Sequence, residues 1–186
     1  MSRTYNGVEI PEAGTYNFDP AHTVVGATAR HLMVTKVRGY FKDVSGNITI
    51  GEDPQDSSVE VHIKAASIDT GVGDRDNHLR SPDFLDVENY PELTFKSSRV
   101  VKIDGSDLVV AGDLTIRGTS KEIELPVEFL GVSKAPWGAE VVGFSSTIEL
   151  DREDFGMTWN ATLEAGGVVV SKKLKVELEI EAVRQA

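Results

Sequence analysis

The sequence predicts an all-β fold, an extended antiparallel eight-stranded barrel interrupted by a short helical insert near residues 74–90. Three observations carry this. Apolar and polar residues alternate with a period of two along most of the chain. Short turn-forming pairs separate the alternating runs. Only residues 74–90 lose the alternation, so about eight strands follow one another without intervening helices, and a meander is the economical topology.

In chain order, residues 1–13 are polar, carry Gly7 and Pro11, and read as a flexible lead before a single domain spanning 14–184. The first strand falls near residues 15–18. Strands are expected next over 24–34 and 37–50, and then around Val59, Val61 and Ile63, which alternate with Glu60, His62 and Lys64. Further runs cover 93–103, 108–117 and 142–150. Between the last two, Ile123, Leu125, Val127 and Phe129 alternate with acidic residues. The clearest strand is the last, where Leu174, Val176, Leu178, Ile180 and Ala182 alternate with Lys173, Lys175, Glu177, Glu179 and Glu181. Ser45-Gly46, Asp104-Gly105, Arg117-Gly118-Thr119 and Gly166-Gly167 read as turns, being rich in residues that tolerate positive φ. A strand of about 11 residues spans about 35 Å, so the barrel is deep.

Within the insert, Asp74 and Ser81, the latter followed by Pro82, resemble helix caps, and two short helices are expected there. Leu79, Phe84, Leu85 and Val87 give the insert an apolar face that suits it to plug one barrel mouth.

Composition narrows the function. The 19 Lys and Arg against 30 Asp and Glu give a net charge of −11, which on balance repels nucleic acid and anionic membrane surfaces. The absence of cysteine removes disulfides, thiolate metal sites and cysteine nucleophiles. No apolar stretch approaches the ~20 residues of a spanning helix. The first residues show neither an apolar run nor a small-residue cleavage site, so the expected location is cytoplasmic. Hydrolase elbow, zincin, phosphate-loop and dinucleotide motifs are all missing. Asp74 and Asp76 begin like a calcium loop, but Leu79 stands where that loop needs glycine and Leu85 where it needs glutamate. No metal site is therefore expected.

A set of segments resembles the YceI-like family of lipid-binding barrels: Asp19-Pro20-Ala21-His22-Thr23, His31-Leu32 with Val37-Arg38-Gly39-Tyr40-Phe41, and Ala66-Ser67-Ile68-Asp69-Thr70. Then come Arg75-Asp76-Asn77-His78-Leu79, Asp83-Phe84-Leu85-Asp86 and Tyr90-Pro91-Glu92-Leu93-Thr94-Phe95. Gly112-Asp113-Leu114-Thr115-Ile116-Arg117-Gly118 and Asp151-Arg152-Glu153-Asp154-Phe155-Gly156 complete the set. The resemblance lies in their number, order and spacing. It implies a lipocalin-like barrel, commonly a homodimer, that holds a polyisoprenoid or another long-chain amphiphile inside. The resemblance also implies an aromatic residue in the strand after the first His motif, where this chain has Ala27, an exchange expected to widen the cavity there or to shift its contents.

On that strand alternation places Val25, Ala27, Ala29 and His31 on one face, the better inward candidate. Candidate lining residues are these four with Phe41, Phe84, Leu85, Phe95, Phe129, Phe144, Phe155 and Trp159, although aromatics at such positions equally fill a small barrel. His22, His31, His78 and Arg80, with Arg38 behind them, are the polar candidates for a headgroup, while a hydrogen bond to backbone or carboxylate serves a buried imidazole equally well. The expected function is to carry or sequester a polyisoprenoid or quinone-like lipid without catalysis. Burial of such a chain gains about 0.8 kcal/mol per CH₂. Two alternatives stay open: an enzyme on a hydrophobic or prenyl substrate with His31 or His78 as general base, and a protein-interaction module built on the acidic surface.

Overall fold

A computed structural model describes residues 3–186. Its strands are β1 (Arg3–Tyr5), β2 (Val8–Ile10), β3 (Gly14–Phe18), β4 (Val24–His31), β5 (Thr35–Phe41), β6 (Val44–Ile50), β7 (Ser58–Lys64) and β8 (Ile68–Asp69). They continue as β9 (Glu92–Asp104), β10 (Asp107–Ile116), β11 (Thr119–Lys134), β12 (Glu140–Asp151) and β13 (Lys173–Arg184); one α-helix, α1 (Gly73–Arg80), interrupts them.

Strands β12, β11, β10, β9, β7, β6, β3 and β13 pair in that order and β13 returns to β12, which closes an eight-stranded antiparallel barrel. The segment expected as one strand over 37–50 is bent: β5 and β6 are separated at residues 42–43, and β4 likewise continues β3 beyond residues 19–23. Accordingly β13 divides its edge, pairing with β3 near Ala182 and with β4 from Lys175 to Glu179. The β4–β5 hairpin thereby lengthens the wall at the end where α1 sits.

Alternation sets which side chains face inward. On β13 Leu174, Val176, Leu178 and Ile180 face the lumen, and the intervening lysines and glutamates face water, because successive side chains of a strand point to opposite faces. Two apolar clusters consolidate the ends. Tyr16, Phe18, Ile48, Val142 and Ala182 pack at the end away from α1. Ala65, Ile68, Leu85, Leu93, Ile116, Phe155 and Met157 pack beneath the insert.

Several local expectations are corrected. Ser45 and Gly46 are not a turn; they lie inside β6, where a Cβ on Gly46 would stand 2.6 Å from the Glu60 carbonyl oxygen and 2.7 Å from the Phe18 ring. Glycine is required there by close packing, not by positive φ. The insert holds one helix rather than two. After α1, residues 82–85 and 87–89 form turns, and Asp86 at φ 49° leaves the helical region. Asp74 does not cap α1, whose N-cap is Val72. The buried Asp76 carboxylate instead accepts bonds from the Thr70 N–H at 2.9 Å and the Thr70 hydroxyl at 2.6 Å. Ser81 closes the other end, its hydroxyl donating to the His78 carbonyl at 2.7 Å.

Ahead of the barrel, β1 and β2 form a hairpin. The Arg3 guanidinium ties it down by donating to the carbonyls of Glu52 at 2.7 Å, Gly51 at 2.9 Å and Pro11 at 3.1 Å. The hairpin lies across the barrel end opposite α1.

The ladder between β11 and β12 runs only from Glu128 to Lys134, although β10 follows β11 to Thr119. Pro126, which has no N–H to donate, sits just beyond the point where it stops. The Ser146 hydroxyl bonds to the Pro126 carbonyl across this margin, and Lys121 meets Asp154 at 3.5 Å.

Candidate functional site

The barrel encloses a cavity of about 700 Å³ that runs from the β1–β2 hairpin to the insert. Tyr5, Val8, Ile10 and Pro11 of the hairpin segment line its far end. Inward residues of every barrel strand, β3 contributing Phe18, continue the wall, which is almost wholly aliphatic and aromatic along its middle. Among the described residues, charged side chains touch the cavity only at the insert end, where Arg30, Asp74, Arg75 and Arg152 line it together with His31 and His78. The site therefore offers a long dry bore with polar groups at one mouth. Such a bore suits a ligand with an extended apolar chain and a single polar head.

Most of the expected lining residues meet here. Val25, Ala27, Ala29, His31, Phe41, Phe84, Leu85, Phe95, Phe129, Phe144 and Trp159 all line the cavity. Phe155 does not; it is 2% exposed and packs behind the wall among Leu93, Ile116 and Met157. The short 3-10 turn over Arg152–Phe155 carries it out of the register of β12.

The expected polar residues divide differently. His31 and His78 reach the cavity, whereas His22, Arg38 and Arg80 do not. Arg38 points outward because its neighbours Val37 and Gly39 face the lumen. Arg80 is used structurally, donating to the carbonyls of Ala66 at 2.8 Å and Ile68 at 2.9 Å, which fastens α1 to the wall. His22 lies on the outer surface in the β3–β4 connection. Its Nδ1 is 2.9 Å from the Asp19 carboxylate and 3.5 Å from that of Glu181. The hydrogen bond to Asp19 raises the His22 pKa, helped by the charge of Glu181. These three side chains bring potential metal-ligand atoms within 4.8 Å of one another, away from the cavity.

At the mouth, His78 is packed between two rings, edge-on to Phe84 at 5.0 Å and to Trp159 at 4.6 Å between centroids. Its Nε2 is 2.8 Å from the Asp83 carboxylate, which orients the imidazole. Both aromatic partners line the cavity, so this triad forms part of its rim.

Among the lining residues that escaped the reading of the sequence, Arg75 and Arg152 carry the most chemistry. Arg75 bonds the Thr70 hydroxyl at 2.7 Å and the Thr70 carbonyl at 2.9 Å; it lies three and four residues before His78 and Leu79, and this helical spacing places all three on one face. Arg152 is 2% exposed. Its guanidinium donates to the carbonyls of Met157 at 2.6 Å, Ser171 at 2.9 Å and Val170 at 3.3 Å, and lies 5.8 Å from the Phe84 ring centroid. Burial pulls its pKa down, while the charges of Glu153 and Asp151 oppose the shift. The signal was available, since Phe144, Ser146, Ile148 and Leu150 all line the cavity and Arg152 is the next even position.

Comparison with known proteins agrees with this architecture. The YceI-like domain matches residues 16–182. A UPF0312 protein of Staphylococcus epidermidis is 39% identical over 171 residues, covering 89% of this chain and 95% of the relative. The crystal structure of the Campylobacter jejuni YCEI protein superposes with a TM-score of 0.73 at 35% identity, covering 84% of this chain and 90% of that one. A polyisoprenoid binding domain from Saccharophagus degradans shares the fold at 14% identity, with a TM-score of 0.67 and coverage of 94% and 100%.

Proposed function

The chain belongs to the YceI-like domain family, and from that premise we propose that it carries or sequesters one long-chain amphiphile, a polyisoprenoid or quinone-like lipid, inside the barrel. The observation that carries this reading is the continuous apolar cavity of about 700 Å³ whose charged lining is confined to the insert end. Each CH₂ drawn from water into such a bore stabilises the complex by about 0.8 kcal/mol, so a chain of many carbons is held without a network of polar contacts. The polar mouth orients the molecule, head at Arg75 and His78, tail toward the β1–β2 hairpin. The polyisoprenoid binding named for the Saccharophagus degradans domain supports the choice of ligand class.

Organic extraction of freshly purified protein followed by mass spectrometry tests the proposal. A long-chain species close to one per chain is expected. Protein that is clean on extraction and then takes up neither a polyprenol nor a quinone overturns it.

One contact favours a second reading. The Asp83–His78 pair beside the cavity is the arrangement that orients a general base, so an enzyme acting on a prenyl substrate follows from the same rim. Turnover of a prenyl phosphate that disappears in His78→Ala would establish it in place of the carrier.

A further inference from the structure

The β4–β5 hairpin ends in a turn with an uncommon filling. Leu32 and Met33 both have positive φ, 52° and 60°, and Val34 N–H closes the turn on the His31 carbonyl at 3.0 Å. Two successive positive-φ residues are the geometry for which Asn-Gly is the favoured filling. Bulky side chains there are strained. They are also exposed: Leu32, Met33 and Val34 show 42%, 54% and 74% of their surface. Neither turn chemistry nor the core is served by three apolar residues in this place, and strain held at an exposed apolar tip points to a role in binding.

The tip adjoins the polar mouth. Arg30 and His31, immediately before it, line the cavity, and the Leu32 N–H donates to the Val169 carbonyl at 2.9 Å, beside Val169 and Val170 of the same rim. On the outer face of the same hairpin and the adjoining start of β13, a shallow depression is lined by five cations, Arg30, Lys36, Arg38, Lys173 and Lys175, against the two carboxylates of Glu149 and Glu177. Lys175 and Lys173 are engaged with Glu177 and Asp151 at 2.7 and 3.9 Å. Lys36 and Arg38 lie near enough to Glu177 for their charges to help lower its pKa, behind the larger effect of Lys175, so the cations of this face outnumber its carboxylates in a chain whose net charge is −11.

We propose that residues 32–34 and the basic face of Arg30, Lys36 and Arg38 form a foot that docks the cavity mouth onto an anionic lipid bilayer. Charge complementarity selects this partner: the tip supplies apolar groups for the acyl boundary, and the cations stand behind it at headgroup level. The overall charge does not forbid the contact, since surface charges more than about 8–10 Å from the bilayer are screened at physiological salt. The docking is independent of what fills the cavity.

Sedimentation with vesicles of equal parts phosphatidylglycerol and phosphatidylcholine, compared with phosphatidylcholine alone, tests the foot. The intact chain is expected to sediment with the anionic vesicles and to be released by salt. Val34→Asp, and Lys36→Glu combined with Arg38→Glu, are each expected to weaken partitioning at least about tenfold. The double change Leu32→Asn, Met33→Gly separates docking from folding, because it relieves the turn and raises Tm while reducing vesicle binding. Trp137→Asp, 75% exposed at the opposite end, leaves binding unchanged. The proposal is overturned if the intact chain ignores anionic vesicles, if the tip and basic variants bind as well as it does, or if binding depends on Trp137 instead. A dimer that is lost in Val34→Asp, with no vesicle binding, would assign the tip to a second copy of the chain and overturn it equally.

Discussion

The His78 imidazole stands edge-on to the Trp159 indole with ring centroids 4.6 Å apart, and both side chains line the polar mouth of the cavity. An aromatic pair of this kind contributes about 0.5–1.5 kcal/mol beyond its buried area. Trp159→Ala therefore opens the rim while sparing the bore. Release of a fluorescent long-chain probe, followed by stopped-flow transfer to acceptor vesicles, is expected to accelerate roughly two- to tenfold. An unchanged rate would show that Trp159 does not retain the ligand.

Ala27 faces the bore from β4, opposite Val176 on β13 and Gly39 on β5 in the ladder. An indole at this position has open space in front of it, so Ala27→Trp is expected to fold with little loss of stability. It competes with the ligand for the same volume. Overfilling of about 1–3 kcal/mol weakens the probe's Kd between about five- and 150-fold, measured by fluorescence titration of protein stripped of lipid.

Arg152 is the tie for the segment that follows β12. Its three hydrogen bonds hold the carbonyls of Met157, Val170 and Ser171, and Arg152→Leu leaves those acceptors buried without their donor. Each such loss costs about 1–3 kcal/mol, partly recovered where water enters. A total of about 2–5 kcal/mol lowers Tm by roughly 5–15 °C. Limited proteolysis is expected to cut first within residues 156–172.

The Asp19–His22 contact gives a pH signature. The hydrogen bond to Asp19 raises the His22 pKa above its ordinary 6.5, so its contribution is complete below 6.5 and fades as pH rises through the raised value. The same bond, with that from the Ala21 N–H, lowers Asp19 below its ordinary 3.8, so the carboxylate contributes above 3.8 and is lost as pH falls through the lowered value. Both act together between 3.8 and 6.5. The Tm difference between the native chain and His22→Asn is expected to be small, as for exposed pairs, to plateau in that window and to shrink on either side. A difference that is flat from pH 3 to 9 would contradict the assignment.

The barrel was legible because a strand with one dry face writes its period into the sequence; β13, with Leu174 to Ala182 on alternate positions, is the plainest case. The same rule placed Val25, Ala27, Ala29 and His31 on one face, and all four line the cavity; Arg30, which it puts on the opposite face, borders both the cavity and the outer depression. Carried two positions beyond Leu150 it also reaches Arg152. What it missed has physical causes. Gly46 looked like a turn because sequence distinguishes poorly between glycine chosen for positive φ and glycine chosen for a close neighbour, here the Phe18 ring. The β1–β2 strands are three residues each, too short to show a period. Phe155 lies within a 3-10 turn, and Trp159 lies in a segment without regular structure, so strand register says nothing about either. The second helix failed at Asp86, whose left-handed backbone breaks a segment with helical composition.

On the proposed carrier role, the β1–β2 hairpin, held across the end away from the insert by Arg3, is the part of the lining that the far end of a bound chain would meet. A tail that enters at the polar rim advances until its last carbons meet Tyr5, Val8 and Ile10. The hairpin thus acts as the zero mark of a ruler. Under that role, chains shorter than the bore would leave a void at the bottom and longer ones would leave their heads standing proud of Arg75 and His78, so the fold would select by length rather than by chemistry.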